Sequence, residues 1–185
     1  MKTKILDCTI RDGGYLNNWD FDEILVKDLY RSVSKSGTDY IEIGFRSSDK
    51  YFNSSEVGIW RFTPENIVEE IIKNNAGSKI SLMVDFGKVD LSDIPDAALS
   101  KVSLYRVAAH KNQILDAIVF ANSIAEKGYE VALQLMGVTR YTHDDFELFL
   151  KPLKDSKLTY LYFADSYGSL LPNEVKRYIE ILKKT

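Results

Sequence analysis

The sequence has few of the residues that mark disulfide-rich, fibrous or metal-cage proteins. Its 185 residues include one cysteine (Cys8), two histidines, four prolines and ten glycines. A single cysteine excludes an internal disulfide and a thiolate metal cage, and it is typical of proteins from a reducing compartment. The low proline and glycine content excludes a collagen-like chain, and 45% hydrophobic residues are enough to form a core.

Long hydrophobic runs are also absent. The two longest uncharged stretches, Ala117–Ala125 and Val131–Thr139, have nine residues each, whereas a membrane-spanning helix needs about 20. The charged residues Asp7, Arg11 and Asp12 interrupt the N-terminal segment, which therefore lacks the pattern of a signal peptide. A net charge of −3 gives no electrostatic footprint for nucleic acid. We expect a cytoplasmic protein that binds neither membranes nor nucleic acids.

Six short hydrophobic segments recur along the chain, and each is followed by a stretch with helical periodicity. Their starts lie 24 to 40 residues apart, which is the spacing of β–α–β units rather than of hairpins. Parallel strands that are covered on both faces read as nearly continuous hydrophobic runs. The predicted strands are Lys4–Ile10, Tyr40–Phe45, Ile80–Phe86, Leu104–Ala109, Glu130–Gly137 and Tyr160–Ala164.

Sequence signals also predict where several helices begin and end. Thr63 with Pro64 indicates the start of the second helix, and Thr142 indicates the start of the fifth. Gly128 follows a hydrophobic stripe and predicts the end of the fourth-unit helix. A third helix is expected over Ser92–Val102, although a proline interrupts it.

The spacing of these units favours one architecture. Six units in 185 residues amount to about 31 residues each, and eight such units would reach the ~250 residues of a closed (β/α)₈ barrel. We therefore expect an α/β fold with a single domain over residues 1–185, an incomplete TIM barrel of about six units that is truncated before strands seven and eight. The alternative is an open, doubly wound sheet that is complete with six strands. Polar residues follow most of the predicted strands. A barrel would point many of them at one central axis, whereas an open sheet would spread them along a line, and this favours the barrel.

The segment Arg-Asp-Gly-Gly, residues 11–14, follows the first predicted strand. On an extended segment Arg11 and Asp12 would face opposite ways, so they would not simply neutralise each other. The Asp12 carboxylate suits a hard divalent cation, and the Arg11 guanidinium suits a carboxylate or a developing enolate oxygen. An ordinary surface turn with an ion pair remains an equal alternative.

Several motifs, in chain order, resemble those of the HMG-CoA lyase-like metal-dependent aldolases and synthases, also called DRE-TIM metallolyases. The motifs are the run from Asp7 to Gly13 (DCTIRDG), Ile41–Gly44, Arg106–His110, Leu135–Met136 and Asp165–Pro172. The resemblance implies a TIM barrel that cleaves or forms a carbon–carbon bond. The implied substrate is a 4-hydroxy-2-oxo acid, which reacts through a pyruvate enolate.

The resemblance also implies roles for individual residues. Asp12 would bind a divalent metal, Mn²⁺ or Mg²⁺, and Arg11 would stabilise the enolate oxygen. Glu42 would belong to the same catalytic group. The residues that contact the substrate would be His110, Asp165 and Ser166.

Two departures from the family pattern limit what the chain can do. Tyr15 stands four residues after Arg11, where the family has a histidine base, and tyrosine, with a pKa near 10, is a poor base at pH 7. The family's His-x-His metal ligands are missing, because His110 and His143 lie 33 residues apart. We expect an incomplete metal site and little activity from the chain alone, which is either cut from a longer protein or a degenerate relative. Tyr15 would take the catalytic place of the histidine or mark its loss.

Other functions and partners remain open. The alternatives are a non-catalytic barrel used for binding or assembly and an acyl-CoA-dependent Claisen-type synthase of the same family. His110 could instead bind a backbone group at the rim. The Asp85 side chain could enter the site or cap the turn at Gly87, and we expect the cap. The unpaired edges of the first and last strands predict a homo-oligomer. The resemblance adds an aldehyde dehydrogenase as a partner.

Overall fold

The computed structural model describes residues 3–73 and 77–183, which form a parallel sheet with helices between its strands. The strands are β1 (Leu6–Asp7), β2 (Tyr40–Phe45), β3 (Lys79–Asp85), β4 (Val102–Ala109), β5 (Glu130–Leu135) and β6 (Tyr160–Phe163). The helices are α1 (Thr9–Gly13), α2 (Glu23–Lys35), α3 (Glu65–Ile72), α4 (Ile114–Glu126), α5 (His143–Lys154) and α6 (Pro172–Leu182).

The six strands lie side by side in chain order, and each neighbouring pair is parallel. This is the arrangement of a half-barrel, because a closed TIM barrel has eight such strands in the same order. The predicted incomplete barrel is therefore confirmed. Within the described residues, β1 and β6 each pair with a single neighbour, so the homo-oligomer stays a prediction.

The strands contribute side chains to two hydrophobic clusters. Ile41 and Ile43 of β2 and Val107 of β4 pack with the helices in the larger core. Tyr40 and Leu104 belong to a smaller cluster on the other face of the sheet. Since successive side chains of a strand point to opposite faces, Glu42 and Arg106 lie on the face with the smaller cluster. We call this face the inner face.

The first strand is shorter than predicted, and the reason is local. β1 ends at Asp7, whose carboxylate accepts hydrogen bonds from Thr9 N at 3.1 Å and Thr9 Oγ1 at 3.0 Å. Such side-chain hydrogen bonds compete with strand pairing and turn the chain. Arg11 and Asp12 consequently lie in the helical turn α1 and not on an extended segment.

Two of the predicted helix signals are wrong. Leu91–Asp93 and Ala97–Leu99 form two short 3₁₀ turns in place of the third helix, because a proline lacks the N–H and disfavours helical geometry in the residue before it. Thr63 does not cap α3, which begins at Glu65 after Pro64. The Thr63 hydroxyl donates instead to Trp60 O at 3.0 Å.

Other signals hold. Thr142 caps α5 by accepting a hydrogen bond from Asp145 N, and Gly128, with φ of 98°, follows the end of α4. Across the described ranges, we find no helix whose length and hydropathy would let it span a bilayer.

Candidate active site at the carboxyl ends of the strands

A buried carboxylate, Glu42 of β2, joins two arginines on the inner face of the sheet. Glu42 Oε1 accepts hydrogen bonds from Arg11 Nε and Arg106 Nη2, both at 2.7 Å. Glu42 Oε2 accepts one from Arg106 Nε at 2.7 Å and a longer one from Ser81 Oγ at 3.5 Å. Because the Glu42 side chain is 0% exposed, it fixes two guanidinium groups away from water. We call Arg11, Glu42 and Arg106 the arginine clamp.

Arg11 and Asp12 pair with each other, which corrects the prediction made for an extended segment. Arg11 Nη1 donates to Asp12 Oδ1 at 2.7 Å. Consecutive side chains diverge less on a helical turn than on a strand, so α1 allows this contact. The Asp12 side chain is 65% exposed and that of Arg11 only 12%.

The buried side chains of this group carry more positive than negative charge. The two guanidiniums of the arginine clamp face one buried carboxylate, which leaves a positive charge that the exposed Asp12 offsets. Burial opposes the charge on Arg11, but the charge and hydrogen bond of Glu42 outweigh it and raise the pKa of Arg11. Arg11 therefore stays cationic, and an anionic ligand could replace Asp12 as its partner.

Tyr15 lies in the 3₁₀ turn that follows α1, beside aromatic residues. Its ring contacts Trp19 and Phe45, with centroid distances of 4.8 and 6.5 Å. Desolvation raises the pKa of Tyr15, and the charge of Asp85 raises it further. The hydroxyl is therefore protonated at neutral pH, and Tyr15 is suited to donate a hydrogen bond rather than to accept a proton.

The Tyr15 turn is tied to the arginine clamp by Trp19. Trp19 Nε1 donates to the carbonyl oxygen of Arg11 at 2.8 Å. A Cβ on Gly14 would lie only 2.0 Å from the Trp19 ring, so the glycine is required for this close approach. Gly14 thus lets the turn fold back over Arg11.

Another buried arginine, Arg61, was not singled out from the sequence. Its guanidinium carbon lies 3.9 Å from the ring centroid of Phe45 and 4.0 Å from that of Phe52. Arg61 Nη2 donates to Asp85 Oδ2 at 2.6 Å. The predicted capping role of the Asp85 side chain is therefore wrong, because that carboxylate pairs with Arg61. Arg61 ends a short 3₁₀ turn, Ile59–Arg61, and no sequence signal indicated it.

The three predicted substrate contacts have different environments. Ser166 Oγ accepts a hydrogen bond from Gly137 N at 2.9 Å, and the backbone N of the exposed His110 donates to Gln113 Oε1 at 3.1 Å. Asp165 uses both oxygens to accept backbone N–H groups from its own loop, Ser169 at 3.0 Å and Leu170 at 2.8 Å. These hydrogen bonds, that of Leu170 first, lower the pKa of Asp165. His110 and Ser166 line one cavity, whereas Asp165 holds its loop.

The described residues do not by themselves fit a divalent metal ion. In 3–73 and 77–183 no three histidine, cysteine, aspartate or glutamate side chains are grouped closely enough to hold one. Asp12 offers an exposed carboxylate, but one of its oxygens is paired with Arg11. Hard divalent cations bind several oxygen ligands, so Asp12 would be one ligand among others.

Comparisons with known proteins agree with this fold. The profiles of known protein families match no part of the chain. The chain is 22% identical over 97% of its length to an oxaloacetate decarboxylase from Mycobacterium tuberculosis, and it covers 52% of that protein. It is 25% identical over 98% of its length to a 4-hydroxy-2-oxovalerate aldolase from Bacillus cereus, of which it covers 53%.

Solved structures give the same picture. The N-terminal domain of a candidate aldolase from Bacteroides vulgatus superimposes with a TM-score of 0.85 at 28% identity, over 98% of this chain and 60% of that one. The carboxyl transferase domain of Rhizobium etli pyruvate carboxylase shares the fold, with a TM-score of 0.72 at 15% identity, over 34% of that chain. These findings confirm the resemblance predicted from the motifs. The chain is a relative of proteins named as aldolases and decarboxylases, and it spans about half the length of these curated relatives.

Proposed function

We propose that the chain provides the enolate-stabilising part of a carbon–carbon lyase for a 2-oxo acid, and that its reaction is the aldol cleavage of a 4-hydroxy-2-oxo acid. The observation that carries the proposal is the arginine clamp, in which Glu42 holds Arg11 at the carboxyl ends of the strands. Active sites of TIM barrels lie at this end. The names of the relatives support the reaction class.

In the cleavage, the bond between C3 and C4 breaks and its electron pair moves onto the C2 carbonyl oxygen, which forms an enolate. The proton of the 4-hydroxyl passes to water, the aldehyde departs, and the enolate takes up a proton from water at C3 to give the 2-oxo acid. Arg11 opposes the negative charge that develops on the enolate oxygen. Glu42 acts as a positioning residue, since Arg11, Arg106 and Ser81 already occupy its oxygens.

A divalent cation would serve as a Lewis acid at the same oxygen. Asp12 would supply one carboxylate ligand, and the remaining ligands would have to come from outside the described residues. The steps that we assign to this chain therefore involve its own side chains only. An acyl-CoA-dependent synthase would use the same enolate, but nothing in the described residues favours it over a lyase.

One observation favours a second candidate, the decarboxylation of a 3-carboxy-2-oxo acid such as oxaloacetate. Here the bond from C3 to the carboxylate breaks, carbon dioxide leaves, and the electron pair forms the same enolate. No hydroxyl has to lose a proton, so no base is needed. Tyr15, whose raised pKa keeps its hydroxyl protonated, is compatible with this reaction because it does not have to act as a base.

The experiment measures binding and product formation separately. We expect oxamate, an isostere of the enolate of pyruvate, to bind the chain and to lose at least about tenfold in affinity in Arg11→Met. Arg31→Met, which changes an exposed arginine of α2 that pairs with Asp28, is the matched control and should bind oxamate normally. Unchanged affinity in Arg11→Met would contradict the proposal.

Product formation distinguishes the two lyases. Pyruvate release from 4-hydroxy-2-oxopentanoate supports the aldolase, and release from oxaloacetate alone supports the decarboxylase. Both assays are run with and without Mn²⁺, with Asp12→Asn as the variant of the proposed metal ligand. Oxamate binding without pyruvate release from either substrate would favour a barrel that binds the ligand without catalysis.

A further inference from the structure

A cavity of about 400 Å³ lies among the loops that follow β4, β5 and β6. Its polar lining includes His110 and Lys111 after β4, Arg140 after β5 and Ser166 after β6. It is therefore at the same end of the sheet as the arginine clamp. Arg106 of the clamp also reaches towards this side, since its guanidinium carbon lies 5.4 Å from the Tyr162 ring of β6.

The lining of this cavity is cationic in a chain whose net charge is −3. It includes a lysine and an arginine, and none of its described residues is a carboxylate. Lys111 Nζ is paired with Asp145 Oδ2 at 2.9 Å, so its charge is largely compensated. Arg140 lies 4.3 Å over the Tyr167 ring and has no ion pair among the described residues. Arg140 therefore contributes the uncompensated positive charge.

Two hydroxyl groups of the lining have unused hydrogen-bonding capacity. Tyr141 is 4% exposed, and its hydroxyl has no hydrogen-bond partner among the described residues. Buried polar groups are almost always paired, so an unpaired one calls for a partner. Ser166 Oγ accepts from Gly137 N, which leaves its own O–H free to donate.

The lining of a second cavity shows that the loops of this protein are not cationic everywhere. The cavity beside the Tyr15 turn is of similar size, about 460 Å³, and its lining includes Asp20 and Glu56 but no lysine or arginine. An anion would be repelled there and attracted to Arg140.

We propose that the cavity next to Arg140 binds an oxyanion, a carboxylate or a phosphate, at the end of the substrate remote from its 2-oxo acid group. Arg140 supplies the charge and Ser166 donates a hydrogen bond. The inference rests on the proposed function for the rest of the substrate, and it adds 2-oxo acids with a second anionic group to the proposed substrate class.

The test compares each 2-oxo dicarboxylic acid of a length series with the 2-oxo monocarboxylic acid of the same length, by calorimetry on the full chain. The diacid that reaches the cavity should bind about tenfold more tightly than its monoacid. Arg140→Met should abolish this difference and leave the monoacid unchanged. Arg177→Met is the matched control, because Arg177 also lies over a tyrosine ring, that of Tyr178 at 5.2 Å, but outside the cavity.

Inorganic phosphate, titrated alone, separates the inference from the proposed function. Saturable phosphate binding that Arg140→Met weakens and Arg11→Met leaves intact supports the cavity even if no 2-oxo acid binds. If phosphate binds but no diacid binds more tightly than its monoacid, the second anionic group of the substrate is a phosphate. If a diacid binds more tightly than its monoacid but phosphate does not bind, that group is a carboxylate. The inference is overturned if neither is seen, or if Arg140→Met binds both as well as the wild-type chain does.

Discussion

Two carboxylates on the inner face of the half-barrel, Glu42 and Glu130, have opposite surroundings. Glu42 is 0% exposed and binds two arginines near the carboxyl ends of the strands. Glu130 is the first residue of β5, its side chain is 32% exposed, and it binds Lys79 Nζ and the Tyr40 hydroxyl, both at 2.9 Å. The Tyr40 hydroxyl also lies 2.9 Å from that of Tyr160.

The group around Glu130 and the arginine clamp differ in net charge. Lys79 and Glu130 neutralise each other at the amino ends of the strands, and the two tyrosines complete a closed hydrogen-bonded group. The arginine clamp has one positive charge more than Glu42 can neutralise, and the exposed Asp12 offsets it. The charges at the amino end are therefore balanced, whereas the carboxyl end can exchange a side-chain partner for an anionic ligand.

The largest expected effect that tests this comparison is on stability. Glu42→Gln removes the charge that compensates two buried guanidiniums, and it should lower the free energy of unfolding by about 3 to 5 kcal/mol. Glu130→Gln breaks a partly exposed pair and should cost about 1 kcal/mol or less. Urea denaturation of both variants measures the difference, and equal losses would contradict the contrast between the two ends.

A smaller effect is expected at the amino end itself. Tyr40→Phe removes the hydroxyl that joins Glu130 and Tyr160, and it should cost about 1 kcal/mol. Burial, followed by the hydrogen bond with Tyr160, raises the pKa of Tyr40, so the loss should be constant below the unfolded tyrosine value of about 10 and should shrink above it, where the unfolded chain ionises first. Denaturation at several pH values checks this. A loss that grew with pH would indicate that Tyr40 ionises.

The smallest effect concerns Asp145, which lies outside both groups. The backbone N–H of Thr142, and then Lys111, lower the pKa of Asp145. A carboxylate with a depressed pKa in the folded chain stabilises it above the unfolded value of about 4, and this contribution is lost as the pH falls through the folded value. Asp145→Asn should therefore cost up to about 1 kcal/mol at pH 7, and the difference from the wild-type chain should vanish in acid. A cost that persists in acid would show that charge is not its cause.

The sequence predicted the parallel strands well, because their hydrophobic runs are long and regular; β2 has the predicted bounds, Tyr40–Phe45. It also indicated Arg11, Asp12 and Glu42. It did not predict that α1 would pair Arg11 with Asp12, since the turn depends on hydrogen bonds to the Asp7 side chain.

Partners that are distant in sequence were harder to predict. Arg106 was noted only as part of a motif, and its contact with Glu42 spans 64 residues. Nothing in the local pattern tells which inner-face side chains meet across two strands. The role of Arg140 depends on three separate loops that come together, and no single stretch of sequence describes that arrangement.

In the proposed site, Glu42 holds the Arg11 and Arg106 guanidiniums as one unit to which an anion binds. The most direct measurement is the NMR signal of each arginine Nε–H, assigned by Arg11→Lys and Arg106→Lys, during a titration with oxamate. We predict that both protons are protected from exchange in the wild-type chain, that both signals shift with the same dissociation constant, and that Glu42→Gln removes the protection. Rapid exchange of either proton in the wild-type chain, or a shift of neither signal with oxamate, would contradict the account.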